Sequence, residues 1–528
     1  MMSNCAPPVF SSHRFHYLCF CFKPGIMKSG LKLPAFFNRQ SVAAAIALLL
    51  FLPLLFLNIR ADHDWGDDFA QYLAQAENIA RFHPMPQTGY VYNEFYPSLG
   101  PKAYPPGFPL MISAITGKYG NYIPPYNYLI SVFLLATALL SVLFLKRHFG
   151  LIPALALSLM VYYNPYVMEL KAEVMADIPF AFLFVLFLLM IPDLQQPSSR
   201  RKWLLAGVVT GVAISVKTAG FTLAAGLAMY TCWQLIMALL RKRAIKNLWK
   251  SAADPALSIG AALGIALLLN LIFMRGASGA SSYLNTFSLA SLSETVAMNL
   301  YTYTEVLRLF FISLDSQIFW FGFIAGSAAV TFALTGLIVA FRRGPGIAEW
   351  VTLAYLGLLL VYPYHNSGFR FLLPLAPLIL NYIATAAGAM NPGRGGIALS
   401  VLAAAMMLVT YMPALKELQE STAEIQEGPY AVHAQNAFEQ VSAITPGDAL
   451  IVFIKPRALA RFSGRNSMAH LPESTPVEVY KQFQAKGPTH FLLYSELPDP
   501  ALENYIRTNR REIELIWRNQ FFRLYRKV

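Results

Sequence analysis

Charged side chains are scarce: only 13% of the 528 residues are Asp, Glu, Lys or Arg, about half the ~25% usual in soluble domains. An ordinary soluble enzyme is excluded. Cysteine is scarcer still, at four. Cys5, Cys19 and Cys21 crowd the first 26 residues and Cys232 sits in an apolar run, so neither a disulfide framework nor a zinc spacing is present. No Asn-x-Ser/Thr acceptor occurs, which points to a prokaryotic source, and there is no internal repeat or low-complexity tract. No His/Cys cluster has metal spacing, and His63 beside Asp62 and Asp64 is too thin to define a site. No metal ligand is assigned, and dependence on a divalent metal is left open.

What the chain has in abundance is apolar surface, 56% of its residues. It falls into runs able to cross a ~30 Å hydrocarbon core, which takes ~20 helical residues each. The runs are 41–59, 126–145, 151–168, 178–192, 203–217, 219–239, 255–274, 318–341, 348–362, 371–389 and 396–412. They predict a polytopic α-helical membrane protein of about 11 transmembrane helices. Lys+Arg 41 against Asp+Glu 28 gives a formal +13, which in a soluble protein would suggest nucleic acid. Here it reads as topological charge facing the cytoplasm or anionic lipid, with no nucleic-acid partner.

The short basic loops set the orientation. Lys146-Arg147, Arg200-Arg201-Lys202, Arg241-Lys242-Arg243, Arg342-Arg343 and Arg394 all fall on one side when the N-terminus is cytoplasmic. The other side receives 61–125, Glu169 to Asp177, 275–317, 363–370 and everything after Met412. The count hinges on Lys217, where two runs meet with almost no loop; one helix there would invert everything downstream. The predicted organisation is a cytoplasmic segment 1–40, with Met27 as the start; a transmembrane domain 41–413 with outer loops 61–125 and 275–317; and a soluble extracytoplasmic domain 414–528. In that tail, Ala449 to Ile454 and Thr489 to Ser495 read as strands, and Thr475-Pro476 and Asp499-Pro500 as helix starts. Glu512 to Trp517 with Phe521 to Tyr525 read as a closing hairpin, giving a small α/β domain.

The first outer loop is the most informative stretch. Apolar residues at 69, 72, 73, 76, 79 and 80 make one helical stripe, predicting an amphipathic helix along the membrane surface. Asp67 and Asp68 occupy its first turn. They read either as helix-dipole partners or as a mutually repelling, partly desolvated pair able to take a proton from a hydroxyl. Tyr72 follows, then Tyr104-Pro105-Pro106-Gly107, a rigid entry into the next apolar stretch.

The acidic pair, the Tyr four residues on, the amphipathic helix and Tyr-Pro-Pro in one long loop after the first span resemble the GT-C superfamily of membrane glycosyltransferases. The branch most alike is that of protein O-mannosyltransferases and lipid A aminoarabinose transferases, glycosyltransferase family 39-like, over roughly 40–390. Asp177-Ile178-Pro179, with Glu173 before it, resembles the second acidic site of such enzymes. Gly211 to Lys217 and Gly220 resembles their Gly-rich span ending in Lys. His365-Asn366-Ser367-Gly368-Phe369-Arg370-Phe371-Leu372-Leu373-Pro374 resembles their Arg-aromatic-x-x-Pro signature. Two departures stand out: Asp-Asp replaces the usual Asp-Glu, and no Lys directly precedes the paired prolines, the nearest being Lys102.

The resemblance implies transfer of a sugar from a polyprenyl phosphate to an extracytoplasmic hydroxyl or phosphate of a lipid, glycan or protein, with inversion. It places the protein in a bacterial inner membrane. Aligned on Tyr72, Asp68 is preferred to Asp67 as the base. Arg370 and Lys217 are assigned to the donor phosphate, a role suited to an Arg at the mouth of a span. Tyr72, Tyr104, Asp177, Glu173 and His365 are assigned to substrate binding. The alternative class is a secondary transporter or lipid flippase, although those place charges near the midplane. Last, Arg457, Arg461 and Arg465 recur every four residues and predict a basic stripe on one helix of the tail. That stripe is either a solvated face or a docking face for an anion.

Overall fold

The computed structural model describes residues 39–195, 200–241, 245–275, 290–310, 319–363, 365–390, 395–420 and 428–528. The Met27 start, the three N-terminal cysteines, Lys242-Arg243, Arg394 and, within the segment 275–317, residues 276–289 and 311–317 lie outside them. Two compact units are Met1–Ala45 and Ile46–Val528. Of the first, only the opening of helix α1 (Arg39–Phe51) is described.

Every apolar run of the sequence falls, in whole or part, on a helix. After α1 come α2 (Asp67–Ala80), α3 (Gly107–Tyr119), α4 (Pro124–Phe149), α5 (Leu151–Tyr162), α6 (Pro165–Ala172), α7 (Asp177–Gln195) and α8 (Arg200–Val216). Then follow α9 (Phe221–Leu240), α10 (Ile245–Phe273), α11 (Leu292–Arg308), α12 (Phe319–Arg343), α13 (Ile347–Val361), α14 (Ala376–Met390) and α15 (Gly395–Glu420). Among the described residues, Pro124–Phe149, Thr218–Leu240 and Ala252–Phe273 are each long and apolar enough to cross a membrane. The pair α5 and α6, bent by 57°, makes a fourth if it is one broken span. The bend follows from sequence: Pro165 cannot continue α5, and the Asn164 side chain restarts the chain as α6 by accepting from the Tyr166 N–H.

Lys217 marks a true break. Its backbone is extended (φ −150°, ψ 135°), and a 3-10 turn, Thr218–Gly220, separates α8 from α9. The first loop reaches this break. A Cβ on Gly107 would lie 2.6 Å from the Ser215 carbonyl, so the Pro-Pro-Gly entry into α3 needs glycine to rest on the end of α8. Gly207 and Gly211 let α8 approach α10 in the same way, since a Cβ at either would press on the Ser258 or Ala262 carbonyl.

The tail folds as α16 (Val432–Ile444), β1 (Leu450–Val452), α17 (Pro456–Ser463), β2 (Asn466–Met468), α18 (Pro476–Lys486), β3 (His490–Tyr494), α19 (Pro500–Thr508), β4 (Ile513–Arg518) and β5 (Phe522–Lys527). Both helix-start signals are realised: Thr475 and Asp499 accept from the Glu478 and Leu502 N–H groups, each with proline at the first helical position. The sheet order is β2-β1-β3-β5-β4. The first two pairs are parallel, and the closing hairpin β4–β5 is antiparallel.

Alternation along the strands splits the tail's core. Ile451, Phe453, Leu492, Tyr494, Phe522 and Leu524 join the core that runs through the helices, while Val452, Phe491, Leu493 and Ile513 pack with α18 and α19. The first loop supplies much of what covers the former face. Trp65 sits among Phe438, Phe453 and Tyr494. At the sheet edge Val91 N–H donates to the Ser467 carbonyl (2.8 Å) and Ser467 N–H to the Gly89 carbonyl (2.9 Å), so the loop extends β2 by a strand-like bridge.

Candidate active site

Helix α2 carries the acidic pair, and its surroundings correct one expectation. Instead of exposing a polar face along a membrane surface, it is buried from Phe69 through Ala76 on both faces. Gln71 donates to the Lys102 carbonyl (2.7 Å), and Gln75 exchanges two bonds with the Tyr104 backbone (2.9 and 3.0 Å). Those amides fix the Tyr-Pro-Pro strand against α2. They thereby place the Tyr104 hydroxyl on Asp68 Oδ1 at 2.6 Å. Tyr72 stacks on the Tyr104 ring (4.7 Å between centroids) with Phe108 at its edge.

The two carboxylates have different partners. Asp67, buried, accepts with Oδ1 from the backbone N–H groups of Arg457 (3.1 Å) and Ala458 (3.0 Å), the first turn of α17. A carboxylate at a helix N-terminus is favoured by the unsatisfied N–H groups and the helix dipole. Asp68 meets Arg457 Nη1 at 2.9 Å on Oδ1, and its Oδ2 lies 3.6 Å from Arg370 Nη1. Burial pushes the Asp67 carboxyl up to about 6 against the pull of Arg457. At Asp68 burial also acts upward, but Arg457, Arg370, the Tyr104 bond and Lys217 outweigh it and hold the group below its ordinary value. Splitting a carboxylate pair in this way separates the roles of its members.

Around Asp68 stand the other candidates. Arg370 lies in the last turn of the 3-10 segment His365–Phe371, which bends at Gly368 (φ 60°, ψ −150°). Its guanidinium, 30% exposed, also donates to Met175 Sδ at 3.1 Å. Lys217 is ion-paired with Asp177 at the start of α7 and lies 4.1 Å from the Phe371 ring centroid. Asp68 with Arg370 and Lys217 with Asp177 are thus two ion pairs from four separate parts of the sequence, and both cations lie at the Phe371 ring. His365 lies in the same 3-10 segment, and its side chain is outside the described residues.

Glu173 goes elsewhere. Its carboxylate meets His63 Nε2 at 3.1 Å, and Asp64 meets His63 Nδ1 at 3.1 Å. The three ligand atoms lie within 4.8 Å of one another, a set able to hold a metal. Sequence spacing missed it because Glu173 is supplied from far along the chain, by the link between α6 and α7. Burial alone pulls the His63 imidazole down, but Glu173 and Asp64 outweigh it and raise it to about 9. A histidine raised on folding contributes stability that is fully present below its unfolded value of 6.5 and lost as pH rises through 9. Heated in detergent with chelator, the wild type is expected to lose stability progressively across that window. H63Q should show a flat response. A wild-type profile equally flat would show that this pair does not tie the loops together.

The arginine row departs from both readings of the sequence. The helix ends at Ser463, with Gly464 in the left-handed region, so Arg465 lies beyond it. Arg457 is buried against the acidic pair, Arg461 pairs with Glu77 of α2, and Arg465 binds the Ser442 and Thr445 carbonyls. The row is neither a solvated face nor a surface held open for an anion: it joins the tail to α2 and α16.

Residues 126–272 match the family model described as dolichyl-phosphate-mannose-protein mannosyltransferase. No curated protein matches the chain. Among solved structures, ArnT from Cupriavidus metallidurans bound to undecaprenyl phosphate is 14% identical, with a TM-score of 0.52 over 93% of this chain and 98% of that one. The oligosaccharyltransferase AglB from Archaeoglobus fulgidus, in complex with an inhibitory peptide and a dolichol-phosphate, is 13% identical, with a TM-score of 0.53 over 87% and 69%. The chain has the GT-C fold of membrane glycosyltransferases. Within it, the chain resembles the O-mannosyltransferases through the matched segment and ArnT through the fold of nearly its whole length.

Proposed function

We propose that the protein is a glycosyltransferase of the GT-C class that takes a hexosyl or pentosyl unit from a polyprenyl phosphate and passes it to an extracytoplasmic acceptor. The observation that carries the reading is Asp68 facing Arg370 across 3.6 Å: a proton acceptor beside a cation suited to a phosphate. Asp67, Asp68 and Asp177 balance Arg457, Arg370 and Lys217, so an incoming phosphate must engage a cation that is not already held closely. Lys217 is held by Asp177, and Arg457 is buried with direct bonds to Asp68 and Tyr104. Among the described residues, Arg370 has the longer Asp68 contact and a thioether as its polar partners.

In the reaction, Asp68 takes the proton of an acceptor hydroxyl as that oxygen bonds the anomeric carbon. The bond from carbon to phosphate oxygen breaks with its electron pair on the phosphate, which Arg370 stabilises, with Lys217 behind it. Phosphate is a good leaving group, so no strong general acid is required. An acceptor that is itself a phosphate needs less of Asp68. Attack opposite the leaving group inverts the anomeric centre. Eleven spans, a cytoplasmic N-terminus and a C-terminal domain outside a bacterial inner membrane complete the reading, supported by the basic loops on one side. The test is to present a panel of radiolabelled undecaprenyl-phosphate sugars to the purified protein in oriented vesicles. Consumption of one sugar from the face that carries the C-terminal domain is expected. Consumption of none, or from the opposite face, contradicts the proposal.

A further inference from the structure

We propose that Arg457, brought in by the C-terminal domain, is a positioning residue of the transfer site: with Tyr104 it holds Asp68 Oδ1 and leaves Oδ2 turned toward Arg370 to receive the proton. The inference rests on the reading of Asp68 as the base. The geometry is specific to a guanidinium. Nη1 donates to Asp68 Oδ1 (2.9 Å) and to the Tyr104 hydroxyl (3.0 Å), which itself donates to the same oxygen at 2.6 Å. Nη2 reaches the Pro101 carbonyl at 3.4 Å. The ring faces of Tyr90 and Tyr104 lie 4.8 and 5.1 Å from its Cζ.

The first loop is shaped to admit this group. Gly100 has φ +117°, and a Cβ there would lie 2.6 Å from Arg457 Nη2, so a larger residue would both strain the backbone and close the slot. The arginine backbone is fixed in turn, because Asp67 accepts the N–H groups of Arg457 and Ala458. The acidic pair thus divides its work. Asp67 seats the first turn of α17, and α17 delivers the guanidinium that orients Asp68.

Two consequences separate positioning from mere adhesion. A carboxylate held at one oxygen by two donors cannot rotate, so the other oxygen keeps one direction, which bears on the chemical step rather than on donor binding. A cation at 2.9 Å also favours the ionised form, keeping the base available at lower pH. A residue that only glued the domain in place would change neither kcat at constant donor KM nor the acid limb of the rate profile.

The experiment uses the full chain with the undecaprenyl-phosphate sugar that the wild type consumes. R457M, R457K and D68N are compared for kcat, donor KM, binding of undecaprenyl phosphate and the acid limb. R457M is expected to lower kcat about tenfold or more, keep donor KM and undecaprenyl phosphate binding within about threefold, and move the acid limb up by about one unit. R457K, which keeps the charge and loses the fork, should lower kcat while leaving the limb near its wild-type place. Should R457M fail to fold, R457K decides. Wild-type kcat in R457K, or an unmoved limb in a folded R457M, overturns the proposal. An active D68N would instead overturn the reading of the base, so the two failures are distinguishable.

Discussion

Replacing Asp68 by Asn should cut sugar transfer by about 10² to 10⁴, the usual worth of a positioned base, with the protein still folded. Asparagine matches the carboxylate in shape, and its oxygen can still accept from the Tyr104 hydroxyl and Arg457 Nη1, which meet Asp68 Oδ1 at 2.6 and 2.9 Å. What it cannot do is take a proton. The same change at Asp67 should act differently. Its oxygen accepts two backbone N–H groups of α17, bonds that an amide oxygen can also make, but the charge facing the α17 N-terminus and Arg457 is lost, so D67N should lower the unfolding temperature and cost less transfer than D68N. Paired kinetic and thermal measurements on the two variants check this. Equal, small losses of transfer would remove the catalytic reading of the pair.

The second large effect is expected at Arg370. R370A should raise the dissociation constant for undecaprenyl phosphate about tenfold or more, because a charge-assisted, two-pronged contact to phosphate oxygens is lost. R370K should fall between, since lysine keeps the charge but not the planar fork. Arg370 also lowers the Asp68 carboxyl, so in R370A the acid limb of the rate should move to higher pH as well. Direct titration of labelled undecaprenyl phosphate against the detergent-solubilised variants gives the first quantity without turnover. Indifference to both substitutions would reduce Arg370 to an anchor of its span at the interface.

Much of the fold is local in origin and was readable for that reason. The stripe at 69, 72, 73, 76, 79 and 80 marked α2 with the bounds it has, and the Thr475-Pro476 and Asp499-Pro500 signals opened the helices they predict. The break at Lys217 was readable from a basic residue between two apolar runs. Strand β2 was not. Asn466–Met468 has three residues and no apolar alternation, and its place depends on β1 and on loop residues 89–91 far away in sequence.

The site divides along the same line. Asp68, Tyr104, Lys217, Asp177 and Arg370 each sat in a recognisable local pattern, and the fold brings them together as two ion pairs at the Phe371 ring and a tyrosine on Asp68. Arg457 had no such pattern to itself. Spacing of four residues puts side chains on one face of a helix but says nothing about depth, and its carboxylate partners lie nearly 400 residues earlier. The pairing of His63 with Glu173 was missed for the same reason: Glu173 was assigned to substrate binding, and nothing in the sequence set His63 beside it.

The configuration of the transferred sugar tests the central claim most directly. If Asp68 acts as a base beside a phosphate held by Arg370, the acceptor attacks the anomeric carbon in a single displacement. NMR of the product from a donor of known anomeric configuration should then show inversion. Retention would require two displacements, with a carboxylate such as Asp68 bonded to the sugar in between, and would contradict the account.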